Sequence, residues 1–151
     1  MKRTLLALGK CAYWAAWPLF FVYLQFSYGR TRVIVRRGEK ILVVKQWIGA
    51  GKWQLPGGGM HKDEPVVQSA LRELREETGL ALEPGQLAPV GTANHRSHGA
   101  GYAMHIFTAA WPEGKVRLQR FEIADAWWAH PGELSKRNAT SDTLVALQMI
   151  Q

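Results

Sequence analysis

The 151-residue sequence predicts an α+β domain preceded by an N-terminal hydrophobic helix. Three observations carry that prediction. Extended runs surround one long amphipathic helical pattern, in the order strand, strand, strand, helix, further strands and a last helix, which is not a βαβ series. Hydrophobic residues make up 47% and charged residues 21%, which suits one globular unit and is too apolar for a disordered chain. The net charge of +7 is confined to one end: residues 1–40 hold eight bases against Glu39, while residues 41–151 balance at eleven of each sign.

That charge split bears on partners. A nucleic-acid footprint spreads Lys and Arg over a folded face with stacking aromatics between them. Here the basicity belongs to the N-terminal end, so no nucleic-acid partner is expected. The single Cys11 excludes an intramolecular disulfide framework and any multi-cysteine zinc site. It reads as a small buried apolar residue in a reducing compartment.

Residues 1–29 form the first segment. From Cys11 to Tyr28 (CAYWAAWPLFFVYLQFSY) no residue carries a formal charge, and aromatics dominate. As a helix these residues would reach about 27 Å, barely a hydrocarbon core. Trp and Tyr near the ends suit membrane interfaces, and Pro18 would kink the helix. Membrane association, spanning or lying flat, is the leading expectation. A helix packed on the domain or a partner, and a signal peptide without a recognisable cleavage site, stay open. Bases on the C-terminal flank (Arg30, Arg32, Arg36, Arg37, Lys40) outnumber Lys2, Arg3 and Lys10, which places the following domain on the cytoplasmic side, at an inner membrane. A soluble cytoplasmic protein is the alternative.

Residues 30–151 form the second unit. Residues 32–37 (RVIVRR) and 40–48 (KILVVKQWI) across Gly38-Glu39 predict a hairpin. Residues 49–52 break the chain, residues 52–55 (KWQL) resume an extended pattern, and Pro56 with three glycines ends it. The clearest helix follows, with Asp63 or Glu64 as cap, Pro65 at its first position and Gly79 just past its end. Val67, Ala70, Leu71, Leu74 and Thr78 fall in one stripe at 3.6 residues per turn. Residues 87–93, 102–111 and 115–121 predict strands, the last two joined by the 112–114 turn. Trp127-Trp128 falls on a further short strand, and residues 144–150 on a terminal helix with Ser141 as cap.

The chemistry lies on the long helix. Glu73, Glu76 and Glu77, at i, i+3 and i+4, share a sector about 100° wide that adjoins the apolar stripe. Carboxylates this close raise one another's pKa. Arg72 and Arg75 leave two negative charges uncompensated once Glu64 is counted, and a hard divalent cation such as Mg²⁺ would resolve the repulsion. A solvated helix face laced by pairs such as Arg72–Glu76 is the bland alternative.

The spacing of the whole segment decides between them. From Gly58 the chain runs through five residues to Glu64, seven more to Arg72-Glu73-Leu74, then Glu76-Glu77 and Gly79-Leu80. This resembles the Nudix box, G-x5-E-x7-R-E-U-x-E-E-x-G-U with U aliphatic, and every specified position is filled. Chance would produce it in a chain of this length about once in ten million. The lead-in Trp53-Gln54-Leu55-Pro56-Gly57-Gly58 also looks like the strand and glycine turn that precede the box. The resemblance implies a Nudix fold, a mixed sheet between helices, and hydrolysis of a nucleoside diphosphate linked to another moiety. It implies Glu73, Glu76 and Glu77 as metal ligands with the backbone of Gly58, and a catalytic part for Glu73 and Arg72. Glu64 and Gly79 are implied as structural box positions, and Mg²⁺, with Mn²⁺ as substitute, as cofactor. Water attack at phosphorus needs such cations, since carboxylates alone repel a pyrophosphate.

Two features depart from the commonest pattern. His61-Lys62-Asp63-Glu64 has one acid and one glycine fewer than many members show. The general base is not fixed by the box, and Glu122 is the candidate because residues 121–134 look like the family's late E-I-x-x-x-x-W segment. Substrate recognition is weakly marked: Arg96, Tyr102 and Trp53 are candidates, with His95 and His98 beside Arg96 in an expected polar loop. The expected activity is therefore metal-dependent hydrolysis of a phosphoanhydride in a nucleotide-type small molecule. A non-catalytic Nudix-like domain that binds a nucleotide or a partner at the membrane is the rival reading.

Overall fold

The computed structural model describes residues 29–97, 100–111, 114–119 and 121–150. The expected N-terminal hydrophobic segment, Cys11 and His98 lie outside them. Among the described residues no helix is long and apolar enough to cross a membrane.

Five strands form one mixed sheet: β1 (Arg30–Arg37), β2 (Lys40–Gln46), β3 (Ala88–Ser97), β4 (Ala100–Ala110) and β5 (Ile123–Ala129), in the order β3-β4-β1-β2-β5. β1 runs parallel to β4, and the other pairings are antiparallel. Two helices complete the fold, α1 (Val66–Thr78) and α2 (Ser141–Gln148). The central strand β1 is apolar on both faces, as a covered strand must be. Val33 and Val35 meet Ala70 and Leu74 of α1 on one side, while Ile34 joins the cluster holding Ala146 and Leu147 of α2 on the other. The mixed sheet between helices expected from the sequence is what forms.

β2 pairs with only the last turn-proximal residues of β1, Arg36 and Arg37. The space beside the first half of β1 is taken by the glycine loop. Thr31 N–H donates to the Gly58 carbonyl and Val33 N–H to the Pro56 carbonyl, each at 2.9 Å. This approach needs glycine: at φ +133° a side chain on Gly57 would run into the Thr31 carbonyl.

Several local expectations are corrected. Residues 115–119 are not a strand: Arg117 N–H donates to Thr78 O and Gln119 N–H to Glu77 O, so their bonds serve the end of α1. His95 and Arg96 lie on β3, not in a loop. Pro65 stands at the N-cap of α1, and neither Asp63 nor Glu64 caps it by a side-chain hydrogen bond. Asp63 instead turns the chain at φ +59°. The C-terminal end is as expected, with Gly79 left-handed and its N–H on Arg75 O. The last helix begins at Ser141, behind Thr140.

The basic flank also changes meaning. Arg32 is buried and ion-paired to Asp142. Arg30 lies over the Tyr102 ring, 5.2 Å from its centroid, and Arg37 over Trp128 at 4.1 Å. These three bases are spent within the domain, and Arg36 and Lys40 are left exposed at the hairpin.

Candidate active site

One face of α1 and the glycine loop bring the box residues together, and Arg72 is their hub. Its Nε donates to Glu64 Oε1 at 2.8 Å and its Nη2 to Glu64 Oε2 at 3.0 Å. Its Nη1 reaches Glu73 Oε1 at 2.8 Å and Glu76 Oε2 at 3.2 Å, and Nη2 also reaches Gly59 O at 3.0 Å. One guanidinium thus ties three acids and the loop. The hydrogen bonds from Arg72 hold the Glu64 carboxyl down at about 2, against the opposing effect of burial. Glu64 also accepts from His61 N–H at 3.0 Å, closing the turn before the helix.

Glu77 is held by the glycine loop instead. It is 2% exposed and accepts from Gly57 N–H at 2.9 Å. Burial pushes its carboxyl up to about 8, and the neighbouring Glu73 and Glu122 add to the rise, while Gly57 N–H and the charge of Arg32 oppose it. Gly58 sits against the third acid: a side chain there would begin 2.5 Å from the Glu73 carboxylate. Glu76 is exposed at the rim.

Glu122, from the turn before β5, joins this group. Burial raises its carboxyl pKa, and Glu73 and Glu76 raise it further, which marks one shared field of negative charge. Its backbone carbonyl accepts from Trp47 N–H at 2.9 Å, pinning the turn to the end of β2. Gln46 Nε2 lies 3.5 Å from Glu122 Oε1.

The donors fit a hard divalent cation in kind. They are carboxylate oxygens and backbone carbonyls, with no thiol or imidazole among them. Their mutual repulsion and the buried, singly bonded Glu77 carboxyl fit as well. The cage is not closed as it stands: among the described residues no three His, Cys, Asp or Glu side chains converge on one point. Arg72 binds Glu64, Glu73 and Glu76, and Gly57 N–H binds Glu77.

The weaker candidates fall elsewhere. Arg96 is exposed near the end of β3 and makes no ion pair among the described residues. Trp53 packs on Trp127 with ring centroids 5.6 Å apart and lies under Lys45 Nζ at 4.2 Å, so most of its surface serves the core. Tyr102 stands between Arg30 and His95, the latter ring 5.6 Å away.

Sequence reasoning missed Arg32 and Asp142. The available signal was a charge directly before the apolar run 33–35 of a strand, since a buried cation requires a partner. It also missed the exposed Trp47 and Phe121 beside Glu122; Phe121 is 96% exposed. Nothing in helical or strand periodicity marks such rim positions.

The chain resembles known proteins in sequence and in fold. The family model for the NUDIX domain matches residues 28–148. A MutT-like protein of Streptomyces ambofaciens is 31% identical over 107 residues, covering 71% of this chain and 66% of that protein, just under two thirds. A CTP pyrophosphohydrolase of Escherichia coli (strain K12) is 32% identical over 103 residues, covering 66% of this chain and 73% of the relative. The crystal structure of a MutT NUDIX hydrolase from Burkholderia pseudomallei superposes with a TM-score of 0.73 at 26% identity, covering 82% of this chain and 98% of that one.

Proposed function

The chain belongs to the Nudix family, and from that premise we propose that it is a divalent-metal-dependent hydrolase of a nucleoside diphosphate linked to another moiety, cleaving the phosphoanhydride. The observation that carries the reading is the pairing of two opposed carboxylate groups across one helix turn. Glu73 and Glu76 are gathered outward by Arg72, while Glu77 is drawn inward by Gly57. The kinship with a CTP pyrophosphohydrolase supports a nucleotide substrate.

Glu73, Glu76, Glu77 and the Gly58 carbonyl are the groups to hold the ion, with Mg²⁺ preferred and Mn²⁺ able to replace it. When bound, the ion supplies positive charge against the phosphates and acidifies water. Arg72 aims Glu73 and Glu76, and Glu64 fixes Arg72. Glu122, with its raised pKa, takes the proton from the attacking water. The water oxygen bonds to phosphorus, the bridging P–O bond breaks, and the leaving phosphate departs with its oxygen. Arg96, Tyr102 and Trp53 remain the candidate substrate contacts, of which Tyr102 is the best placed, on the sheet face beside Arg30.

Residues 1–29 hold the enzyme at the cytoplasmic face of a membrane, with residues 30–151 as the catalytic unit. The uncharged aromatic stretch and the flanking Lys2, Arg3, Lys10, Arg36 and Lys40 support this.

The test is a substrate panel with Mg²⁺ or Mn²⁺: nucleoside triphosphates, oxidised deoxynucleotides, nucleotide sugars, ADP-ribose and dinucleoside polyphosphates. Release of a nucleotide product with one class is expected. Binding without turnover across the panel would favour the non-catalytic alternative.

A further inference from the structure

Glu77 owes its position to a residue outside the box. Gly57 is held at both ends: its N–H donates to Glu77 Oε2 at 2.9 Å, and its carbonyl accepts from Arg32 Nη1. Arg32 is itself fixed from the opposite side. Its Nε and Nη2 both meet Asp142 Oδ2, at 2.8 and 2.7 Å, and the pair is almost fully buried. Asp142 is the second residue of α2, and its Oδ1 also accepts from Thr143 N–H at 2.9 Å. A continuous set of hydrogen bonds therefore runs from the last helix, through the centre of the sheet, to a carboxylate on the box helix.

We propose that Arg32, anchored by Asp142, is a positioning residue for Glu77, acting through Gly57. The claim rests on the reading of Glu77 as a metal ligand given above. The geometry explains why an arginine occupies a strand position otherwise built for apolar side chains. Gly57 has no side chain to limit its rotation, and its φ of +133° is open to few other residues. Val33 N–H on Pro56 O and Thr31 N–H on Gly58 O hold the loop on either side of Gly57, and the Arg32 bond to the carbonyl between them completes its placement against Glu77. Only a planar fork bonds Asp142 along one edge and a carbonyl at the other; a lysine ammonium supplies the charge without that span.

The experiment uses the full chain and three variants: Arg32→Lys, Asp142→Asn, and the paired apolar replacement Arg32→Met with Asp142→Leu. Buried ion pairs replaced together by apolar residues commonly leave stability intact, so the pair variant should fold with a melting temperature near the wild type. Three readouts are taken: amide exchange at Gly57, amide exchange across the β3–β4 ladder, and kcat against KM. In the pair variant Gly57 should exchange at least about tenfold faster while the β3–β4 amides are unchanged. Its kcat should fall about ten- to a hundredfold with KM little altered. Arg32→Lys should show the same selective loss at Gly57. Full rescue by lysine would make the role one of charge and overturn positioning. Unchanged Gly57 exchange in a folded pair variant would overturn it too. Should the pair variant not fold, Arg32→Lys decides: a larger rise in exchange at Gly57 than across the β3–β4 ladder supports the proposal, and an equal or absent rise refutes it. Wild-type protein inactive on every substrate would count against the proposed function, while exchange at Gly57 would still settle the relay.

Discussion

Arg72 and Glu64 meet edge to edge, with two parallel hydrogen bonds of 2.8 and 3.0 Å between guanidinium and carboxylate. Such a fork fixes the plane of the arginine as well as its place. The remaining donors of Arg72 are thereby aimed at Glu73, Glu76 and Gly59 O.

Glu76→Gln and Glu77→Gln should each lower kcat at least about a hundredfold, because each removes a negative donor from an electrostatic site. Their effects on stability should differ. Glu76 is exposed, so its replacement should leave the melting temperature in chelator unchanged. Glu77 is buried with its carboxyl pushed up to about 8, above its unfolded value, so stability is fullest in acid and falls as pH rises toward 8. A neutral glutamine should raise the melting temperature in chelator. Thermal melts and steady-state rates check both, and full turnover in excess EDTA would refute the metal mechanism.

Arg72→Lys should cost about tenfold in kcat, less than loss of Glu77, since one ammonium cannot serve Glu64, Glu73 and Glu76 together. Glu64→Gln should follow in the same direction, acting only through Arg72. If Glu64→Gln abolished turnover as Glu77→Gln does, Glu64 would have to touch the reacting groups directly.

Acid should loosen the domain in a defined window. Burial disfavours the Asp142 carboxylate, but the charge and hydrogen bonds of Arg32 outweigh it and hold the carboxyl below its ordinary range. Glu64 is held at about 2 by Arg72. Both folded pKa values lie below the unfolded ones, so their stabilisation is full above about pH 4 and is lost as pH falls through the folded values. Asp142→Asn should destabilise by about 3–5 kcal/mol near neutral pH, because it strands a buried cation. Melts from pH 7 to 3 should show the gap between wild type and variant narrowing in acid. A constant gap would mean that Asp142 does not titrate there.

Much of this site was legible in the sequence because its spacing is local. Gly58, Glu64, Arg72, Glu73, Glu76 and Glu77 span two dozen residues, and α1 converts their intervals directly into one face. Glu122 was reachable only by resemblance, and the structure brings it into the same field of charge. What failed depends on distant partners. Arg30 and Arg32 read as a basic flank because nothing near them announces Tyr102 or Asp142. Residues 115–119 alternate like a strand, yet their N–H groups find carbonyls at the end of α1. Periodicity reports which groups need partners and is silent about which partners they find.

Hydrolysis in ¹⁸O-labelled water should place the label in a phosphate product, as attack at phosphorus requires. Label confined to a sugar hydroxyl would show attack at carbon. Mass spectrometry of the separated products decides.

A chain beginning near residue 29 should stay folded and keep its turnover, while the full chain sediments with membranes. Every catalytic candidate lies after residue 57, and the first described bonds of the domain begin with Gly29 O accepting from Met60 N–H at 3.0 Å. A truncated chain that unfolds, beside a full chain soluble without detergent, would make residues 1–29 part of the core.

The Arg32–Asp142 pair joins residues 110 positions apart. During translation β1 and the whole box are finished long before residue 142 is polymerised. Until that moment Arg32 lacks the carboxylate it pairs with, and closing its strand into the interior would bury a cation without its ion-pair partner. The domain therefore cannot complete its core vectorially, from the first residue onward. An mRNA cut short before the last helix would yield a product with every box residue present and no settled interior, the kind of chain that proteases clear.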